Sequence, residues 1–175
     1  MKPVSPHVSA GTWLVHCDGS AFPNPGHMGL GATLIAPDGT RHTLSERAGG
    51  KGCNNEAEAR AMMAALQHAK LLGARKLEIH SDSRVVVDQL TGDGGRPIKR
   101  LDALFAELRA QLAGFGSSAV RWIPQHRNSE ADALARAAAG LPPRAGNVTI
   151  KGKARKSLNC TQEQNVKSTL HSGVL

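Results

Sequence analysis

The order of extended and helical segments constrains the fold of this chain more than any other feature. Three extended segments come first, over about residues 12–18, 27–36 and 40–48, and a hairpin turn at Asp38-Gly39 joins the last two. Helical and extended segments then alternate in the order α, β, α, α, β, α. Because strands separated by helices pair in parallel, the whole order βββαβααβα predicts an α/β fold, with a mixed sheet and helices on both of its faces.

The helices are predicted from their end signals and their apolar periodicity. The first covers residues 54–72, with an asparagine as its N-terminal cap and Gly73 as its stop signal. An apolar stripe at helical spacing predicts another helix over residues 98–113. The remaining predicted elements are a strand at 76–80, a short helix up to Leu90, a strand at 119–123 and a helix at about 129–139.

The chain has 175 residues, which is enough for one well-buried domain and short for two. Leu141-Pro142-Pro143 marks a break, after which hydrophobic periodicity is weak. We therefore expect a short lead over residues 1–11, one domain over 12–140, and a tail over 141–175 that is mobile or loosely docked. The tail holds six Lys or Arg and one acid, so it carries most of the net charge of +8. Clustered positive charge indicates a polyanionic partner such as nucleic acid, and a merely solubilising tail is the alternative.

The cysteine content and the hydropathy pattern limit the cellular setting. Three cysteines without a C-x-x-C pair argue against a disulfide framework and against a structural zinc site. The N-terminal segment lacks the apolar core of a signal peptide, and no run of about 18 apolar residues occurs in the sequence. We therefore expect a soluble, cytoplasmic protein with no membrane partner. We also expect a monomer.

Four acids stand where predicted strands and helices meet. Asp18 ends the first strand, ahead of a turn that begins with Gly19-Ser20, and Asp82 follows the fourth strand. Glu58 and Asp132 lie near the starts of helices that are expected to pack against the sheet. Four converging carboxylates repel one another unless cations are present, and Mg²⁺ prefers oxygen ligands of this kind. We interpret the four acids as a candidate site for a pair of divalent metal ions.

Each of these acids also has a purely structural explanation. Asp18-Gly19 is a common hairpin-turn sequence, and Asp82 is placed to cap the helix that follows it. Capping-box spacing, in which an acid lies three residues after the capping residue, occurs in two pairs, Asn55 with Glu58 and Ser129 with Asp132.

Four short sequence blocks follow one another in a fixed order. They are Asp18-Gly19-Ser20 with Asn24-Pro25-Gly26 and Gly29-x-Gly31, then Asn54-Asn55-x-x-Glu58, then Ser81-Asp82-Ser83, then Asn128-x-x-Ala131-Asp132-x-Leu134-Ala135. Over about residues 12–140 the chain thereby resembles the type 1 ribonuclease H (ribonuclease HI) family. The resemblance implies the ribonuclease H-like fold with a five-stranded mixed sheet. It also implies a hydrolase that cuts the RNA strand of an RNA/DNA hybrid internally, by a two-metal-ion mechanism that leaves 5′-phosphate products.

The resemblance assigns roles to the acids and to one histidine. It implies that the catalytic ligands of two Mg²⁺ ions, with Mn²⁺ as an alternative ion, are Asp18, Glu58, Asp82 and Asp132. One ion would activate water, and the other would stabilise the leaving 3′ oxygen. His126 takes the place of a loop histidine that assists proton transfer or product release in the family. The loop is short here, since only Arg127 separates His126 from Asn128.

The same resemblance implies a set of residues that bind the hybrid. They line its minor groove, where the 2′-hydroxyl distinguishes RNA from DNA, and they are Gly19, Ser20, Asn24, Asn54 and Asn55. For Asn54 and Asn55, helix capping alone is the alternative. Arg84 stands where many relatives have glutamine, so we expect it to bind a phosphate. Cys53 stands where a hydroxyl-bearing residue often holds a DNA phosphate, and this replacement should weaken that contact.

The segment between Leu90 and Lys99 departs from the family pattern. Many bacterial relatives have a basic, tryptophan-rich protrusion there that grips the DNA strand, whereas this chain has a glycine-rich turn with Arg96. We hypothesise that a cluster of cations in the tail replaces that grip by contacting phosphates, namely Lys151, Lys153, Arg155 and Lys156.

Three classes of function are therefore compared. A Mg²⁺-dependent ribonuclease that acts on RNA/DNA hybrids is the leading hypothesis. A non-catalytic hybrid-binding module is disfavoured, because a binding protein gains nothing from four carboxylates that repel one another. Another nuclease of the same fold, acting on DNA, is disfavoured by the paired Asn54-Asn55 block.

Overall fold

Five strands and four helices make up the part of the chain that the structure describes. The computed structural model describes residues 11–92 and 96–144, and its strands are β1 (Thr12–Phe22), β2 (Gly26–Ile35), β3 (Arg41–Gly52), β4 (Lys76–Ser81) and β5 (Ser117–Trp122). The helices are α1 (Asn54–Leu71), α2 (Arg84–Thr91), α3 (Asp102–Ala113) and α4 (Ser129–Ala138), with short 3-10 turns at Lys99–Leu101 and Gln125–Arg127. The predicted element order is confirmed.

The strands form one sheet in the order β3-β2-β1-β4-β5. β1 pairs antiparallel with β2, and β2 with β3, because short turns connect them. β4 lies parallel to β1 and to β5, because helices carry the chain between these strands. The last residues that β1 and β4 pair with each other are His16 and His80. The mixed five-stranded sheet expected from the sequence is therefore confirmed.

Helices cover both faces of this sheet. A Cβ atom at Gly29 would lie 2.1 Å from the carbonyl oxygen of Ala135 in α4, and one at Gly31 would lie 2.3 Å from that of Ala131. Leu30, between the two glycines, points to the opposite face, where it joins the core formed with α1 and α3. The predicted cover of both faces is confirmed, and the close packing of α4 depends on two residues without side chains.

The main hydrophobic core lies between the sheet, α1 and α3. Its largest fully buried side chains include Leu34, Met62, Leu66, Ile79, Phe105 and Leu108. Because these side chains are fully buried and closely packed, they hold the strands and α1 in fixed positions relative to one another. This core therefore sets the position of the acids, which lie just beyond it.

The prediction that Asp18 ends the first strand is wrong. β1 continues to Phe22, because its pairing with β2 extends to the pair Phe22 and His27. Gly19 is accordingly a strand residue, and its role is close packing: a Cβ atom there would lie 2.1 Å from the carbonyl carbon of Ala57 in α1. A glycine that indicates a turn in sequence thus serves here to admit a helix backbone.

The predicted asparagine cap of α1 is also wrong. The N-cap residue is Cys53, which makes no capping hydrogen bond through its side chain. Asn54 is the first helical residue, and its Oδ1 atom accepts a hydrogen bond from the backbone N–H of Ala21 instead (2.9 Å). Gly73 does end the helix as predicted, in the left-handed conformation at φ 81°.

Smaller differences concern the ends of elements and the range described. The helix predicted over residues 98–113 begins at Asp102, since Lys99–Leu101 forms a 3-10 turn. None of the helices in residues 11–92 and 96–144 is long and apolar enough to cross a membrane. The N-terminal lead and the tail cations Lys151, Lys153, Arg155 and Lys156 lie outside the described residues, so the domain limits stay a prediction.

Candidate active site

Three acids converge just beyond the point where the pairing between β1 and β4 ends. Carboxylate oxygens of Asp18, Glu58 and Asp82 all lie within 4.8 Å of one another. Asp18 and Asp82 each follow the last paired residue, His16 or His80, by two positions. Parallel neighbouring strands thereby deliver two carboxylates to one edge of the core, and α1 delivers the third.

The position of Glu58 follows from the close approach of α1 to β1. The backbone of Ala57 and Glu58 lies against Gly19, where the nitrogen of Glu58 would be 2.2 Å from a Cβ atom. Asp18 is one residue away on the strand, and its Oδ1 atom accepts a hydrogen bond from the backbone N–H of Gly19 (2.9 Å). Glu58 does not act as a helix cap, because its side chain faces Asp18.

Asp82 is held by α4 and does not cap α2. Ser83 is the N-cap residue of α2, and its hydroxyl oxygen accepts a hydrogen bond from the backbone N–H of Val86 (3.4 Å). The buried amide of Asn128 donates to Oδ1 of Asp82 (2.6 Å) and to the carbonyl oxygen of Cys17 (3.0 Å). One side chain therefore ties the residue before Asp18 to the carboxylate of Asp82.

Asp132 lies on α4 and has a cationic partner. It is only 3% exposed, and its Oδ1 atom accepts a hydrogen bond from Nε of Arg144 (2.9 Å). Its negative charge contributes to the raised pKa of Asp18, so it belongs to the same electrostatic site. It is not a member of the group within 4.8 Å, which consists of Asp18, Glu58 and Asp82.

Crowding changes the ionisation of the acids. Burial, followed by the charges of Asp82 and Asp132, raises the pKa of Asp18 to about 7. Burial, followed by the charges of Asp18 and Asp82, raises the pKa of Glu58 well above its ordinary value. Complete burial, followed by the charges of Glu58, Asp18 and Asp82, raises the pKa of the Cys17 thiol, which is therefore an unreactive core residue. Near neutral pH the site consequently retains protons that a cation would displace.

The donor set fits a hard divalent cation. All the converging atoms are carboxylate oxygens, which Mg²⁺ and Mn²⁺ prefer as ligands. Oε2 of Glu58 is buried without a hydrogen-bond partner among the described residues. Such an atom is costly unless something binds it, and a metal ion would satisfy it.

The predicted hybrid-binding asparagines are brought together at the start of α1. Oδ1 of Asn24, in the turn between β1 and β2, accepts a hydrogen bond from the backbone N–H of Asn54 (3.1 Å). Asn54 in turn binds the backbone of Ala21, as described above. Asn24 and Asn54 are exposed, while Ser20 and Asn55 are partly buried. The β1–β2 turn and the N-terminus of α1 therefore form one hydrogen-bonded surface that continues from Gly19.

Arg84 packs on an aromatic ring beside the acids. Its guanidinium carbon lies 3.9 Å from the ring centroid of Trp122, at the end of β5. The indole Nε1–H of Trp122 donates a hydrogen bond to the carbonyl oxygen of Asp82 (3.1 Å). Arg84 thus presents a positive charge within two residues of a catalytic candidate. The exposed His126 lies in the 3-10 turn that precedes Asn128.

Comparison with known proteins identifies the family of this chain. A family model described as reverse transcriptase-like matches residues 16–138, which include all four acids. The crystal structure of ribonuclease H1 from the halophilic archaeon Halobacterium salinarum aligns with a TM-score of 0.70 at 32% sequence identity, and the match covers 74% of this chain and 98% of that one. The chain belongs to the type 1 ribonuclease H family.

Other members of the ribonuclease H family show the same likeness. Curated ribonuclease HI of Halobacterium salinarum is 36% identical over 120 residues, which are 67% of this chain and 59% of that protein. LC11-RNase H1, solved in complex with an RNA/DNA hybrid, aligns with a TM-score of 0.67 at 26% identity, covering 73% of this chain and 96% of that one. The chain spans between 34% and 59% of the length of the curated relatives it matches.

In this ribonuclease H family member, three residues around the acids had no role assigned from sequence. Asn128 precedes Asp132 by four residues, a spacing that puts both on one helix face and was a usable signal. Trp122 pairs with Ser81 at the end of β5, so the sheet order was needed to find it. No local pattern marks Arg144, which comes to Asp132 only through the path of the chain after α4.

Proposed function

We propose that this protein is an endoribonuclease that hydrolyses the RNA strand of RNA/DNA hybrids with two Mg²⁺ ions. The observation that carries the proposal is the convergence of Asp18, Glu58 and Asp82 within 4.8 Å, with one buried carboxylate oxygen unsatisfied. Such a cluster destabilises the free protein, so a merely structural role does not account for it. Family membership supports the choice of reaction, and a relative was solved with an RNA/DNA hybrid.

The ligands proposed for the two ions are Asp18, Glu58, Asp82 and Asp132. When bound, paired divalent ions activate a water molecule and stabilise the charge on the leaving 3′ oxygen, so that hydrolysis leaves a 5′-phosphate. Asn128 holds the carboxylate of Asp82 in place through a hydrogen bond to Oδ1. Exposed His126 is proposed to take or supply a proton during turnover, or to assist product release.

Hybrid recognition is proposed to use the surface that continues from Gly19. The amides of Asn24, Asn54 and Asn55, with the backbone of Gly19 and Ser20, face the minor groove, where the RNA strand offers 2′-hydroxyls that donate and accept hydrogen bonds. The hydrogen bond between Asn24 and the Asn54 backbone fixes the spacing of these groups. Arg84 is proposed to bind a phosphate beside the scissile one, held there by Trp122.

The DNA strand would be held by cations. Nη2 of Arg100 lies 3.0 Å from Sγ of Cys53, so a guanidinium contacts the residue that stands where relatives often have a hydroxyl. We propose that Arg100 supplies the phosphate contact that Cys53 lacks. The tail cations Lys151, Lys153, Arg155 and Lys156 are proposed to add further phosphate contacts, which truncation after Arg144 tests because it keeps the ion pair with Asp132. Truncation should lower the slope of log affinity against log salt by up to about 3 to 4.

One assay tests the proposed activity. Labelled RNA/DNA hybrid, duplex RNA and duplex DNA are incubated with the full chain in Mg²⁺, in Mn²⁺ and in EDTA. We expect metal-dependent cleavage of the RNA strand of the hybrid alone, and a loss of about 10³-fold or more in Asp18→Asn, which removes a ligand charge and keeps the shape. Binding of the hybrid without cleavage would favour the non-catalytic module, and cleavage of duplex DNA would favour another nuclease of this fold.

A further inference from the structure

Arg144 places a cation directly on one of the proposed metal ligands. Its Nε atom donates to Oδ1 of Asp132 at 2.9 Å. The Gln125 side chain, with its amide oxygen turned to the guanidinium, accepts from Nη1 at 3.1 Å and from Nη2 at 3.0 Å. The Arg144 side chain is 48% exposed, while that of Asp132 is 5% exposed. A half-exposed cation therefore covers a buried carboxylate.

The path of the chain after α4 directs Arg144 to this place. Gly140 adopts the left-handed conformation (φ 78°), and the backbone N–H of Leu141 donates to the carbonyl oxygen of Arg136 (2.8 Å). Nε of Arg136 donates in turn to the carbonyl oxygen of Pro142 (2.9 Å). These bonds fold the segment back along α4, so the ion pair belongs to an ordered helix ending.

The ion pair between Arg144 and Asp132 affects the binding of a second cation to Asp132. Among the four acids in the described part of the chain, Asp132 is the one that forms an ion pair with an arginine or lysine. Asp18, Glu58 and Asp82 instead lie close to one another, with carboxylate oxygens within 4.8 Å. A divalent cation that binds Asp132 meets a guanidinium already bound to the same carboxylate, and the two positive charges repel at short range.

We propose that Arg144 is a resident counter-ion of Asp132, which stabilises the metal-free protein and which a divalent cation must displace. Arg144 thereby weakens metal binding at the Asp132 side of the site and raises the metal concentration that is needed to fill the site. This inference rests on the proposed metal site, and it goes beyond that site by naming the residue that sets its affinity.

Calorimetric titration of the full chain with MgCl₂ or MnCl₂, without nucleic acid, tests the proposal. Arg144→Ala should lower the dissociation constant about three- to tenfold, and Arg144→Lys should change it less, because a cation is kept near Asp132. The matched control is Arg41→Ala, which removes an arginine paired with Glu130, an exposed acid of the same helix. That control should leave the dissociation constant unchanged.

Melting temperatures give a second measurement. In EDTA, Arg144→Ala should melt below the wild-type protein, because Asp132 loses its counter-ion, and saturating Mg²⁺ should recover most of the difference. Equal dissociation constants for wild type and Arg144→Ala, or the same melting deficit with and without metal, would overturn the inference. If the wild type cleaves the hybrid while these constants are equal, only the inference fails. If Arg144→Ala binds metal more tightly and no hybrid is cleaved, only the proposed function fails.

Discussion

The side-chain amide of Asn128 donates a hydrogen bond of 2.6 Å to Oδ1 of Asp82. The same nitrogen bonds the carbonyl oxygen of Cys17, the residue before Asp18 (3.0 Å). Asn128 is 1% exposed, and it forms the N-cap of α4 without using its side chain for capping. The helix that carries Asp132 is thus tied through one amide to β1 and to Asp82, the residue after β4, and the relative positions of three acids depend on it.

Substitution of Asn128 should therefore damage stability and activity together. Asn128→Ala leaves a buried carbonyl and a carboxylate oxygen without their donor, which costs about 2 to 4 kcal/mol of unfolding free energy. Hybrid cleavage should fall as well, because Asp82 loses its orientation. Urea denaturation in EDTA measures the first effect, and single-turnover cleavage at saturating Mg²⁺ measures the second.

Asn128→Asp removes the hydrogen-bond donor of residue 128 and keeps the shape of its side chain. It is nearly isosteric, and it sets an acceptor against Asp82 where the wild type has a donor. The loss of stability should be larger at pH 8 than at pH 5, since protonation restores a donor. Equal losses at both values would mean that the hydrogen bond to Asp82 is not what Asn128 contributes.

The pH dependence of stability without metal follows from Asp18. Its pKa is raised to about 7 in the folded protein by burial and by Asp82 and Asp132, and returns to an ordinary acidic value on unfolding. The folded state therefore holds a proton that the unfolded state releases, so stability in EDTA falls as pH rises from about 4 to 7. The expected loss is on the order of 2 to 4 kcal/mol.

The control for this prediction is Asp18→Asn, which cannot titrate. Its stability in EDTA should exceed that of the wild type at pH 8 and should depend less on pH, with a remaining slope from Glu58, whose pKa is raised in the same direction. Saturating Mg²⁺ should flatten the wild-type profile, because bound metal replaces the protons. A wild-type stability in EDTA that rises across this range would contradict the raised pKa of Asp18.

Sequence patterns predicted the sheet and the helices well, because these follow from periodicity and end signals. They misplaced the end of β1, where the signal was Gly19. In sequence a glycine after an acid indicates a turn, whereas here the missing side chain admits α1 against the strand. That purpose becomes visible only when strand and helix are placed together.

The candidate site also contains residues that the sequence could identify and residues that only the fold identifies. Asp18, Glu58 and Asp82 could be chosen from local position, because the end of the parallel pairing between β1 and β4 meets the start of a packed helix. The partners that hold or neutralise the acids come from distant segments. Arg144 reaches Asp132 through a backbone turn after α4, and no periodicity in residues 141–144 encodes that contact.

Close packing at Gly31 makes a strong prediction for stability. A Cβ atom there would lie 2.3 Å from the carbonyl oxygen of Ala131 and from the backbone nitrogen of Ala135. Gly31→Ala should therefore push α4 off the sheet, cost about 2 to 4 kcal/mol and displace Asp132. The matched control is Gly49→Ala in β3, where nothing lies within 4 Å and the backbone is not left-handed. Urea denaturation should show a change of less than about 0.5 kcal/mol for this control.

Arg84 and Trp122 give a prediction about substrate binding in which the charge of Arg84 and the ring that supports it are tested separately. If Arg84 binds a phosphate, Arg84→Gln should weaken hybrid binding and lower the slope of log affinity against log salt by about 1, with the same change for every hybrid sequence. Arg41→Gln, at an arginine paired with Glu130, should change neither quantity. Fluorescence anisotropy with a labelled hybrid in EDTA measures both without turnover.

Trp122→Phe then tests the support. It keeps a ring beneath Arg84, where the guanidinium lies 3.9 Å from the centroid, and removes the N–H that bonds the carbonyl oxygen of Asp82. Binding should stay near the wild-type value while kcat falls a few-fold, because only the backbone at Asp82 loses a partner. Trp122→Ala removes both contacts and should weaken binding and slow cleavage together. Weak binding in Trp122→Phe with unchanged kcat would assign the indole N–H to the substrate and not to Asp82.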